Sequence, residues 1–146
     1  MIIDMALGDF KLFEWKSKEK RQQEQEEYDK WAFPHGKDQR KKLEALMLEV
    51  APDTKLEFSM MAYLTCKELY ERYLKEFGSR DKALDYMIND EKKYNQLIKK
   101  NEMTRCLAFV LANEELDENC EYPAAEEINQ RIHELDELKR KKKRFL

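Results

Sequence analysis

Residues that break helices are so scarce in this chain that their scarcity dictates its architecture. Three glycines and three prolines are all that its 146 residues contain, namely Gly8, Gly36, Gly78, Pro34, Pro52 and Pro123. A sheet needs frequent turn residues and β-branched residues to fill its strands. A chain this poor in turns is expected to form long helices joined by short connections. Charged residues reach 40%, against roughly 25% in an average soluble domain. The 42% of hydrophobic residues, with seven Tyr, seven Phe, two Trp and seven Met among them, still suffice for a packed core.

The predicted fold is all-α, a single bundle of five to seven helices around a long central helix at about residues 55–77. A polar N-terminal arm is expected over residues 1–33, and the helical domain with its basic end over residues 34–146. The arm follows from "KSKEKRQQEQEE", Lys16 to Glu27, twelve consecutive positions without an apolar residue. A helix built on that stretch cannot bury a stripe and must be held at its ends. Phe10, Leu12, Phe13 and Trp15 flank one end, and Tyr28, Trp31 and Phe33 the other; a disordered linker is the rival reading. "FPHG" then makes a turn.

Beyond the turn, Leu43, Leu46, Met47 and Val50 recur at i, i+3, i+4, i+7, predicting a helix from about Lys37 that Pro52 ends. The next segment runs from about Lys55 to Phe77 and stops at Gly78, a favoured residue just past a helix end. Phe58, Met61, Leu64, Tyr70, Tyr73, Leu74 and Phe77 make it dense in apolar residues, so it is expected to be buried on more than one side. Ser79 is placed to cap a shorter helix to about Ile88 that buries Ala83, Leu84 and Met87. Tyr94, Leu97 and Ile98 continue at helical spacing. "RCLAFVLA", Arg105 to Ala112, is the most apolar run; with no partner strand in evidence it is predicted to be a helix. An acidic loop follows, and Pro123 is expected in the first turn of a last helix whose stripe is Ile128, Ile132, Leu135 and Leu138.

The chain ends in "KRKKKR", Lys139, Arg140, Lys141, Lys142, Lys143 and Arg144. One or two cations at a helix C-terminus are explained by the dipole; six exceed that need. The run is a candidate site for nucleic acid or an acidic partner, with Arg40, Lys41 and Lys42 as auxiliaries. Against this, the formal net charge is only −3, from 28 basic and 31 acidic residues, and no aromatic platform or recognised binding motif accompanies the run. A solvated tail, or one docked on Glu114, Glu115, Asp117, Glu118 and Glu121, is the leading expectation, and a membrane surface the least favoured.

Signatures of catalysis are missing from the pattern. His35 and His133 have Ala32 and Gln130 where a di-iron bundle would place glutamates. No CxxC pair suggests zinc, and neither metal nor cofactor is expected. Cys66 and Cys106 read as small core residues, and Cys120 as a loop cysteine whose acidic neighbours blunt it as a nucleophile. Tyr63, Tyr70 and Phe77, seven apart, with Tyr73, read first as core and second as a groove for an amphipathic helix or apolar ligand.

The opening "MIIDMAL" lacks a basic lead and a cleavage site, and no stretch is long and apolar enough to span a bilayer. Three widely spaced cysteines suit a reducing compartment, so a cytoplasmic location is expected. The expected function is that of a non-catalytic interaction or regulatory protein, self-associating through Leu12, Phe13 and Trp15. The alternative is a nucleic-acid-binding protein that uses the basic end.

Overall fold

The computed structural model describes residues 7–90, 98 and 102–139, with the backbone alone for residues 7–16. Six α-helices account for most of these residues, and none of them lies in a strand. The helices are α1 (Leu7–Ala32), α2 (Lys37–Val50), α3 (Leu56–Phe77), α4 (Arg80–Asp85), α5 (Met103–Glu114) and α6 (Ala125–Glu137). A π-helical turn, Tyr86–Asp90, extends α4. The chain divides into two compact units, Met1–Arg40 and Lys41–Leu146.

In the first unit α1 is one unbroken helix of 26 residues, about 39 Å at 1.5 Å per residue. Residues 18–30 are exposed throughout, as a stretch without an apolar face must be. Local pairs line it, with Arg21 donating to the Ser17 hydroxyl at 3.3 Å and Gln25 to the Asp29 carboxylate at 3.0 Å. Such i, i+4 pairs each add only about 0.2–0.5 kcal/mol. At the far end Tyr28 and Trp31 pack ring to ring, with centroids 5.4 Å apart. The chain then turns through Pro34 and Gly36, whose φ of 91° strongly favours glycine. The Gln39 side chain accepts the His35 N–H at 2.9 Å, which closes the start of α2.

The second unit is organised by α5. Nine of its twelve residues are buried, Met103, Thr104 and the run Cys106 to Ala112. A helix apolar on nearly every side needs cover on nearly every side, and α5 packs against α3, α6 and the π-helical turn. The most apolar run of the sequence is therefore a helix, as its length and periodicity predict. α6 lies on α5 through Ile128 and Leu135. The hydroxyl of buried Thr104 donates to Asp136 at 2.7 Å, joining the start of α5 to the end of α6. Leu138, expected to complete the stripe of α6, is exposed.

α3 is the longest helix of this unit, and it buries one face: Met60, Ala62, Tyr63, Cys66, Leu69, Tyr70 and Tyr73. Of the residues expected in the core, Tyr70 and Tyr73 are buried and Leu64, Leu74 and Phe77 half-buried, but Phe58 is 66% and Met61 59% exposed. The reason is helical phase. At 100° per residue, Phe58, Met61 and Thr65 fall on a flank beside the buried stripe, outside the arc that α5 covers. α3 ends as predicted, with Gly78 left-handed at φ 65° and its N–H donating to the Leu74 carbonyl at 2.9 Å. Ser79 caps α4 by accepting the Lys82 N–H.

The predicted continuation of α4 to Ile88 occurs with a wider turn after Asp85. Asn89 donates to the Asp85 carboxylate at 2.8 Å and to the Leu138 carbonyl at 3.0 Å, so the turn also satisfies the end of α6. Tyr86 thereby closes a ring cluster with Tyr73 and Phe77, its centroid 4.6 Å and 5.3 Å from theirs.

The acidic connection between α5 and α6 is tied at several points. The Lys42 ammonium of α2 donates to the Cys120 carbonyl at 3.0 Å and the Asn119 carbonyl at 3.4 Å. Asn113 donates to the Tyr63 hydroxyl and accepts from the Tyr122 hydroxyl. Pro123 stands outside the last helix rather than in its first turn, because Ala124 is extended, with ψ 157°, and serves as the cap.

Candidate functional site

The flank of α3 left uncovered becomes one wall of a groove of about 590 Å³, within the 300–1,000 Å³ range of small-molecule sites. Thr54, Lys55, Phe58, Ser59, Met61, Ala62 and Thr65 line it from α3 and the turn before it; Glu102, Arg105, Cys106 and Phe109 line it from the start of α5. Ala62, Cys106 and Phe109 are buried and form the floor, while Phe58 and Met61 stand exposed above it. The Lys55 ammonium sits 5.8 Å from the centre of the Phe58 ring, a cation–π contact that steadies both side chains.

The hydroxyls around the groove are satisfied by the protein. Thr65 donates to the Met61 carbonyl at 2.9 Å, Thr54 to the Ala51 carbonyl at 2.7 Å, and Ser59 to the Thr54 hydroxyl at 3.3 Å. The groove therefore offers chiefly carbon to an incoming molecule, with Lys55, Arg105 and Glu102 as its charges. Burial, reinforced by Glu102, pushes the Cys106 thiol up to about 12 against the opposing effect of Arg105. A thiol so far from ionising is a poor nucleophile. Burial, with Cys106 nearby, likewise raises the Cys66 thiol.

The sequence-predicted sites are dispersed. Lys139 pairs with Asp136 at 3.1 Å; Arg140, Lys141, Lys142, Lys143 and Arg144 lie outside the described residues. Leu12, Phe13 and Trp15 belong to α1, and their side chains lie outside the described residues. Of the auxiliary cations, Arg40 lies 5.8 Å from the centre of the Phe33 ring, Lys41 is exposed, and Lys42 holds the Asn119 and Cys120 carbonyls. Glu115, one of the acids offered to the tail, is bridged by Arg131 at 2.7 Å. His133 is exposed and 3.3 Å from Glu137, while Cys120 is buried at a φ of 53°.

Tyr63, Tyr70 and Tyr73 are core residues, so the groove lies beside the tyrosine face. Sequence reasoning counted Phe58 and Met61 as core and so missed it. The available signal was their phase relative to Tyr63, Cys66, Tyr70 and Tyr73. Among the described residues no group of His, Cys, Asp and Glu could hold a metal ion, and no helix is long and apolar enough to cross a membrane. No family model, curated protein or solved structure matches the chain.

Proposed function

We propose that this chain is a non-catalytic interaction protein of the cytoplasm that receives an apolar helix of a protein partner in the α3–α5 groove. The reading is carried by one observation: two large apolar side chains, Phe58 and Met61, are held in solvent beside a concave, mostly carbon-lined surface. Helix-in-groove recognition uses such a surface, with anchors at i, i+3, i+4 and i+7 of the incoming helix. A non-catalytic role agrees with thiols held protonated by burial. A reducing compartment agrees with three free cysteines.

The test is fluorescence anisotropy with a labelled amphipathic peptide that carries leucine and phenylalanine on one face and glutamate on the other. Saturable binding is expected, weakened at least about tenfold, or roughly 1.4 kcal/mol, by Phe58→Asp. No binding, or equal binding by both proteins, would refute the assignment.

A further inference from the structure

We propose that the occupant of the groove is the N-terminal section of α1 from a second copy of the chain, an inference that rests on the helix-binding reading above. That section holds Leu7, Phe10, Leu12, Phe13 and Trp15 within nine residues, followed by the twelve polar positions from Lys16 to Glu27. Because α1 is unbroken, no bend separates Trp15 from Tyr28, and thirteen residues of helix hold them about 20 Å apart. The apolar residues at the other end of α1 therefore lie too far along the helix to pack on this section.

Charge selects the same pairing. The section carries Asp9 and Glu14 against Lys11, one net negative charge. The rim carries Lys55 and Arg105 against Glu102, one net positive charge. Opposite charge of this kind favours encounter and fixes register. Two copies exchanging these sections give two equivalent contacts about a two-fold axis, and the assembly closes as a dimer. Each copy then gives one helix end and receives one.

The experiment is light scattering on the full chain and four variants: Phe58→Asp and Met61→Asp in the groove, Leu12→Asp and Trp15→Asp in α1. Phe58 and Met61 are mostly exposed, so the groove variants are expected to keep the wild-type circular dichroism. The wild-type chain is expected at twice the monomer mass, and every variant to dissociate at least about tenfold more readily. An equimolar mixture of Met61→Asp and Leu12→Asp retains one intact groove and one intact α1, so it is expected to associate more strongly than either alone. A monomeric wild-type chain, groove variants that still dimerise, or a mixture no better than its components would each overturn the proposal. The peptide titration separates the two readings. Wild-type monomer that binds peptide through Phe58 retains the groove and loses only self-association; indifference of the peptide to Phe58 removes both.

Discussion

Replacing Asn113 by leucine tests how the second unit is held together. Asn113 stands between α3 and the acidic connection, donating to Tyr63 and accepting from Tyr122. Leucine has the branched outline of asparagine with two methyl groups in place of the amide, so the change removes the polar groups without opening a cavity. Tyr63 is wholly buried, and its hydroxyl would be left where water cannot replace the lost partner. Stranding a buried polar group costs about 1–3 kcal/mol, so about 2 kcal/mol is expected. Half-buried Tyr122 can turn to solvent and adds little.

Tyr63→Phe removes the hydroxyl itself. It is expected to cost about 1 kcal/mol, the net value of an ordinary hydrogen bond. With both changes nothing is stranded, and the double variant is expected to lie no lower than Asn113→Leu. The coupling between the sites is then at least about 1 kcal/mol. Urea denaturation followed by helical circular dichroism reads this directly. With a slope near 2 kcal/mol/M, Asn113→Leu lowers the midpoint by about 1 M. Additive losses in the double variant would refute the claim that the Tyr63 hydroxyl depends on Asn113.

The remaining predictions concern the core, a helix end, a titrating contact and the thiols. Leu107→Ala, at a fully buried position of α5, is expected to cost about 2–5 kcal/mol in the same urea assay. Gly78→Ala meets no atom within 4 Å of its new Cβ but must adopt a φ of 65°; a loss of about 1 kcal/mol, from backbone strain alone, is expected in thermal denaturation. Partial burial acts to raise the Asp136 carboxyl, but hydrogen bonds from Thr104 and Lys139 outweigh it and hold the group below its ordinary 3.8. Its contribution is therefore present above that value and lost as pH falls through the lowered one. The deficit of Thr104→Val is expected to be full at neutral pH and to shrink below 3.8; a deficit independent of pH would count against the contact. Cys66 and Cys106 are expected to resist a thiol reagent at mildly alkaline pH until urea unfolds the chain, and rapid labelling of native protein would contradict their burial.

The helical architecture was legible because it rests on local chemistry. Gly78 and Ser79 punctuate the chain between α3 and α4, and the polar run from Lys16 to Glu27 leaves α1 no face to bury. Sequence shows which residues are apolar but not which arc of a helix its neighbours cover. Phe58 and Met61 differ from Tyr63 and Tyr70 only in phase, and the arc became known once α5 was seen against α3. The wider turn after Asp85 and the Asn113 contacts depend on partners distant in the chain, Leu138 and Tyr63, which no local pattern announces. Leu138 follows the stripe of α6 but lies beyond the part of that helix buried on α5.

The tie made by Lys42 bears on how this protein can change over generations. Its ammonium is held by main-chain oxygens of residues 119 and 120, and every amino acid supplies such an oxygen. Drift in the identity of residue 119 leaves the anchorage intact. At position 120 the left-handed backbone narrows the choice, with glycine and asparagine the most comfortable replacements. The tie made by this distant lysine thus tolerates change in the side chains it spans, whereas the tie made by Tyr122 to Asn113 depends on the side chains themselves.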